Sequence, residues 1–246
     1  MSVKKLYVVG IGPGDEQFMT FAARKALEAC ELICGYTVYV ELVQKFMPEK
    51  EVLSTPMMQE IERCRLSLEK ANEGKTVAMV GSGDAGVYAL AGPILEMSEL
   101  YPEVEIEVVA GITAALSGGA VLGAPLTHDF ATISLSDLMT PFDLIMKRVE
   151  CAAIGDFCIA IYNPSSKKRS DYLRQACEIL LQHRRKDTVC GIVRNIGRDR
   201  EEKTILTLEA LKDTKVDMFS TVFVGNSQTK VIKGKMVTPR GYDLTV

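Results

Sequence analysis

Residues 76–88 read Thr-Val-Ala-Met-Val-Gly-Ser-Gly-Asp-Ala-Gly-Val-Tyr, and how the chain leaves the apolar run decides the fold. A run of strand length stops at Gly81, Gly83 and Gly86, and apolar residues at three and four spacing follow over 87–100. That is a strand, a tight glycine turn and a helix, with the G-x-G-x-x-G spacing of a dinucleotide-binding turn. The step recurs at Gly10-Ile-Gly-Pro-Gly-Asp15 and at Val109-Ala-Gly-Ile-Thr113. Further apolar runs at 6–9, 31–34, 106–109, 131–135, 157–162, 189–193 and 221–224 alternate with helix-period segments at 18–27, 58–68, 113–122, 142–149, 172–181 and 208–211. Strand alternating with helix predicts an α/β protein with mainly parallel pairing, and three neighbouring turns at the carboxyl ends of strands predict a ligand site there.

The chain has 246 residues, 47% hydrophobic and 25% charged, with a formal net charge of -3. This predicts an ordinary globular protein with room for two domains of about 120 residues. The pattern weakens at Gly118, Gly119, Gly123, Ala124 and Pro125, which predicts a boundary between residues 1–120 and 121–246 and a ligand cleft between two α/β domains. The acidic balance gives no general attraction to nucleic acid or membrane. A start of Met-Ser-Val-Lys-Lys-Leu entering a strand, and no 18-residue apolar span, predict a cytoplasmic location. Seven cysteines at irregular spacing predict a reducing compartment. Cys30 and Cys34 could share one side of a helix end, but no second pair stands at zinc-site spacing, so no metal is expected.

Acids in the glycine turns argue about the ligand. Asp15 stands where a dinucleotide turn needs its last glycine, and Asp84 lies inside the second turn, where it would repel a pyrophosphate. Gly74-Lys75-Thr76 resembles the end of a phosphate-binding loop, but Glu69 replaces its leading glycine and the segment enters a strand. A nicotinamide-dependent oxidoreductase would take its ribose acid from Glu103, Glu105 or Glu107, yet Asp84 opposes it. The plain alternatives are a ligand-free tight turn at Gly10, Gly12 and Gly14, and an N-cap role for Asp84 on the helix over 87–100.

The series VGIGPGD, VGSGDAGVYALAG, VVAGITAA, GAPLTHDFATISLSDLMTP, AIYNPSSKKR, GIVRNIGR and DMFSTVFVGNS resembles the tetrapyrrole methylases of the cobalamin pathway, most of all their C17-methylating, ring-contracting branch. The resemblance spans nearly the whole chain. It implies two α/β domains, usually in a homodimer, with S-adenosylmethionine folded between them. It implies cofactor contacts at Pro13, at Ser82, Gly83, Asp84 and Val87, and at Thr113 and Ala114. In the second half the implied contacts are Tyr162, Asn195, Gly225 and Asn226. The implied substrate is precorrin-3B or cobalt-factor III, a macrocycle rich in acetate and propionate. Local cations would hold it, and Lys167, Lys168, Arg169, Arg194 and Arg198 follow strands expected to end at the site. Methyl transfer needs mainly alignment. Ring contraction also needs a proton donor or acceptor, for which His128, Asp129 and Ser134 in the branch-specific motif are the candidates. His183, at a helix end, reads as a surface residue. Methylation at C11 or C20 is the alternative within the family.

Overall fold

A computed structural model describes residues 4–166 and 169–243. The chain forms two compact units, residues 1–113 and 114–246. In the first, β1 (Lys5–Gly10), α1 (Phe21–Ala29), β2 (Leu32–Tyr36), α2 (Thr37–Gln44), β3 (Glu51–Thr55), α3 (Glu60–Asn72), β4 (Thr76–Gly81), α4 (Ala91–Met97) and β5 (Glu105–Val109) follow one another. The five strands pair in the order β3-β2-β4-β1-β5, every pair parallel. Side chains on successive strand residues point to opposite faces. Leu6, Val8, Val77 and Met79 pack with Cys64, Leu68 and Ile94 of α3 and α4. Val9, Ile33, Ala78 and Val80 pack with Ala23, Leu27, Val40 and Val43 of α1 and α2. A sheet apolar on both faces and covered on both is what the near-continuous hydrophobic runs demand.

The second unit holds α5 (Ala114–Leu122), β6 (Gly123–Ala124), β7 (Phe130–Ser134), α6 (Phe142–Ile154), β8 (Cys158–Tyr162), α7 (Tyr172–His183), β9 (Val189–Arg194), β10 (Glu202–Thr207), α8 (Leu208–Lys212), β11 (Ser220–Val224), β12 (Lys230–Ile232) and β13 (Lys235–Val237). Its main sheet runs β10-β9-β11-β8-β7, and a small one runs β12-β13-β6. The expectation of mainly parallel pairing fails in the main sheet. Only β7 and β8 pair in parallel there, while β11 enters antiparallel between β8 and β9, and β10 returns antiparallel along β9. The seven residues from 195 to 201 that join β9 to β10 are too few for a helical crossover, so an antiparallel return is the short solution. Helices α6, α7 and α8 cover one face through Val149, Leu173, Leu180 and Leu208.

The glycines read as a domain boundary are partly inside α5, which packs against the other face of that sheet. A Cβ on Gly118 would lie 2.8 Å from Ile196 and 3.0 Å from Phe223, so glycine there lets the helix settle close to β11. The unit division falls ahead of α5. Two further expectations change. The helix read over 87–100 begins only at Ala91, after residues 85–90 in turns and bends. Cys30 and Cys34 lie in the cores on opposite faces of the first sheet, so they share no side of a helix end. Burial pushes their thiols up to about 11 and about 12, which makes them inert packing groups. Among the described residues no helix is long and apolar enough to cross a membrane.

Candidate active site

Because β4, β1 and β5 are adjacent and parallel, the loops that follow them meet at one edge of the first sheet. They are joined by backbone. The Ile11 N–H donates to the Gly81 carbonyl at 2.9 Å, and Gly12 and Gly83 exchange a pair of N–H···O=C bonds at 3.1 and 2.7 Å. Gly12 and Gly83 take φ of +76° and +72°, the left-handed region that glycine enters without penalty. The third loop closes on the other two so tightly that a Cβ on Gly111 would stand 2.1 Å from the Gly83 carbonyl oxygen and 2.6 Å from that of Gly10. Ser82 Oγ donates to the Gly12 carbonyl at 3.4 Å.

Asp84 fastens this assembly. One carboxylate oxygen accepts from the Gly86 N–H at 2.8 Å, and the other accepts from the Gly111 N–H at 2.9 Å. It therefore does not cap a helix over 87–100; it closes its own turn and ties the second loop to the third. Two accepted bonds leave lone pairs on a carboxylate for a ligand's hydroxyl or ammonium. A Cβ on Gly81 would meet nothing within 4 Å, so open space lies directly against the main chain there. Pro13 follows Gly12 in the first loop, Val87 follows Asp84 in the second, and Thr113 ends the third; Pro13, Val87 and Thr113 thus sit on this same edge. Asp15 instead accepts from the Gln17 N–H and caps a short 3-10 turn.

In the second unit, β7, β8 and β9 all point the same way, and their carboxyl ends gather Ser134, Tyr162 and Asn195. The Tyr162 hydroxyl accepts from the Ala115 N–H at 2.8 Å, which fixes the start of α5, and with it Ala114, over this edge. Asn163 Nδ2 donates to Ser134 Oγ at 2.9 Å and the Ser136 N–H donates to the same oxygen at 3.2 Å. With both of its acceptor positions taken, the Ser134 hydroxyl is left as a donor. Asn195 turns the chain at φ +54°, its N–H bonded to the Phe219 carbonyl.

The expected cations are mostly committed. Arg169 bonds to Ser136 and Ser166 and lies 3.5 Å from Asp137, so it locks two loops together and does not present a free fork. Arg194 pairs with Asp217 at 2.7 Å. Arg198 is half-buried, its N–H bonded to the Asn195 carbonyl. Lys167 and Lys168 lie outside the described residues. The Tyr172 hydroxyl donates to Asp137 at 2.8 Å, and this bond, with Arg169 nearby, holds the Asp137 carboxyl below the usual carboxylate range. A carboxyl with a lowered folded pKa contributes stability above its unfolded pKa and loses it as pH falls through the folded value. Tyr172→Phe is therefore expected to raise the Asp137 pKa toward its ordinary value in a carbon-detected NMR titration; an unmoved titration would remove the tyrosine as the cause.

Four expected site residues are separated from this edge. His128 and Asp129 precede β7, and the Asp129 carbonyl accepts from Cys158, the first residue of β8, so they stand at the opposite edge from Ser134. The His128 Nδ1 accepts from the Asp129 N–H at 2.9 Å, a local turn. Gly225 and Asn226 follow β11, which runs antiparallel to β8 and β9, so the end of β11 lies beside Ile159 and Cys190 where those strands begin. Gly225 is held there by Val189 and Arg184, and Asn226 by Thr229 and Gln228. The direction of β11 carries these two residues away from Asn195. At the α6–α7 end His183 lies 3.4 Å from Glu150, a surface contact.

Sequence reasoning missed a cavity of about 210 Å³ in the first unit, lined by Tyr36, Tyr39, Arg63, Gly81, Ser82 and Tyr88 among others. The signal for it was Cys34-Gly-Tyr-Thr-Val-Tyr39, two tyrosines three apart where a strand ends.

A family model described as Tetrapyrrole (Corrin/Porphyrin) Methylases matches residues 5–212. The chain is 45% identical over 240 residues to a probable cobalt-factor III C(17)-methyltransferase of Salmonella typhimurium, covering 97% of this chain and all of that one. It is 44% identical over 243 residues to a cobalt-factor III methyltransferase of Priestia megaterium, covering 97% of this chain and 45% of that longer protein. The crystal structure of the methyltransferase CobJ superposes with a TM-score of 0.88 at 35% identity, covering 95% of this chain and 99% of that one.

Proposed function

The chain belongs to the tetrapyrrole (corrin/porphyrin) methylase family, and on that premise we propose that it transfers a methyl group from S-adenosylmethionine to C17 of cobalt-factor III or precorrin-3B, with ring contraction, in cobalamin biosynthesis. The observation that carries the choice of donor is the cradle at the carboxyl ends of β1, β4 and β5, built of main chain and bearing Asp84 where a dinucleotide's pyrophosphate would lie. S-adenosylmethionine brings a sulfonium, an ammonium and ribose hydroxyls but no phosphate, so a carboxylate attracts it. The open space against Gly81 supports this reading, since a ligand could approach the main chain there.

Pro13, Ser82, Gly83, Asp84, Val87 and Thr113 hold the donor on this reading, and Ala114, Tyr162 and Asn195 are its further proposed contacts. When bound, the donor supplies an activated methyl carbon, so the protein's task in that step is alignment. The Ser134 hydroxyl, left as a donor by Asn163 and Ser136, can deliver a hydrogen bond to an oxygen developing on the macrocycle during contraction. Arg198 and the lysines at 167 and 168 complete the reading as contacts for peripheral carboxylates, and the active protein is a homodimer. Calorimetry with S-adenosylmethionine and with a nicotinamide dinucleotide tests the donor: binding of the first alone is expected. Mass and NMR analysis of the product from metal-free and cobalt-loaded substrate tests the rest, and a methyl at C11 or C20 would overturn the C17 assignment.

A further inference from the structure

Arg63, on the buried side of α3, is 4% exposed and lines the cavity beside Gly81 and Ser82. Its Nε donates to Thr55 Oγ1 at 2.9 Å, and one terminal nitrogen donates to the carbonyls of Thr55 and Pro56 at 3.4 and 3.0 Å. All three acceptors are neutral. Among the described residues no carboxylate lies within ion-pair distance of the guanidinium. Among the described residues the other terminal nitrogen has no hydrogen-bond partner, and it is not among the fully enclosed unpaired polar atoms, on a side chain that lines the cavity. The walls include apolar and aromatic groups: Val8, Met79 and Val80 line the cavity, and the Tyr36 ring lies 5.8 Å from the guanidinium carbon and edge-on to Tyr39.

A cation withdrawn from water without a counter-charge is costly, and a guanidinium with two unused N–H groups in a side chain that lines a cavity suits a planar anion. The cavity, at about 210 Å³, is smaller than the roughly 300–1,000 Å³ of a site that encloses a whole small molecule. It suits one arm of a larger ligand. Gly81 and Ser82 are common to its wall and to the donor cradle, so a ligand lying across the cradle reaches it directly.

We infer that this cavity is a carboxylate subsite, in which Arg63 and the surrounding tyrosines bind one peripheral acetate or propionate of the tetrapyrrole substrate and so set its orientation over the methyl donor. The inference rests on the functional reading above. Glu60, a turn earlier on α3, is exposed at the cavity rim and opposes an entering anion. The subsite therefore depends on the buried cation outweighing a solvated carboxylate, which the low-dielectric walls allow.

The test measures KM and kcat with cobalt-factor III, and the S-adenosylmethionine dissociation constant, for the wild type, Arg63→Gln, Arg63→Lys and Glu60→Gln. Arg63→Gln is expected to raise KM by about tenfold to a hundredfold, the worth of a charged hydrogen-bonded pair, while cofactor affinity stays within about twofold by calorimetry. Arg63→Lys is expected to recover part of the loss, and Glu60→Gln to lower KM. A buried arginine can be needed for folding, so a second measurement leaves the chain untouched: binding of mono-amidated macrocycles to the wild type. One regioisomer is expected to lose about tenfold or more while the others keep their affinity. An unchanged KM in folded Arg63→Gln, a Glu60→Gln variant with a raised KM, or equal losses for every mono-amide would each overturn the subsite. A wild type that binds neither cofactor nor macrocycle would instead overturn the functional reading.

Discussion

Gly111→Ala is expected to destabilise the protein by about 3 kcal/mol or more and to abolish S-adenosylmethionine binding. The added methyl would lie 2.1 Å from the Gly83 oxygen, 2.6 Å from the Gly10 oxygen and 2.7 Å from the Gly10 carbonyl carbon. All three are backbone atoms, so no side chain can rotate away, and overpacking already costs 1–3 kcal/mol where side chains give way. Relief requires the third loop to move off the other two, which breaks the Asp84–Gly111 bond. Urea denaturation and calorimetry on the purified variant check both halves. A stability within about 1 kcal/mol of the wild type would mean that the loops are less tightly joined than their geometry states.

Asp84→Ala is expected to weaken S-adenosylmethionine binding by about a hundredfold and to cost about 3 kcal/mol of stability. The substitution leaves the N–H groups of Gly86 and Gly111 without their acceptor, and hydrogen bonds to a charged group are worth about 1.5–3 kcal/mol each. Asp84→Asn keeps the shape and one acceptor oxygen, so it should retain one of the two bonds and fall between. Equal affinity in all three proteins would leave Asp84 a purely structural clasp.

Much of this was legible in the residues. The eight apolar runs each became a strand, because runs of strand length bounded by glycine have few other uses in a chain of alternating helices. The meeting of the three glycine loops was legible because each follows a strand and opens toward a helix, so neighbouring parallel strands bring them to one edge. Other features depended on tertiary context. Residues 37–44, Thr-Val-Tyr-Val-Glu-Leu-Val-Gln, are rich in β-branched and aromatic types, yet they form α2 because Val40 and Val43 fit the core beside β2. β3 and β10 are polar edge strands with most residues exposed, and carry no apolar signature. The division of the expected site residues was also beyond reach, because local sequence does not give a strand's direction. With β11 antiparallel, Gly225 and Asn226 move to the far edge. His128, two residues before the start of the parallel strand β7, lies there as well. Arg63 reads in sequence as one cation of a charged helix face, and only the packing of α3 buries it.

The reciprocal bonds between Gly12 and Gly83, with Asp84 reaching Gly111, have a thermodynamic consequence. The three loops are gathered by folding itself, so a donor bound there, as proposed, would meet a surface whose ordering entropy has already been spent, and little conformational work would remain at the moment of association. Folding and affinity then become linked functions of the same few contacts. Whatever loosens the clasp is felt at once as a lower melting temperature and a faster dissociation, and saturating ligand returns the lost stability in proportion to the logarithm of its concentration over its dissociation constant.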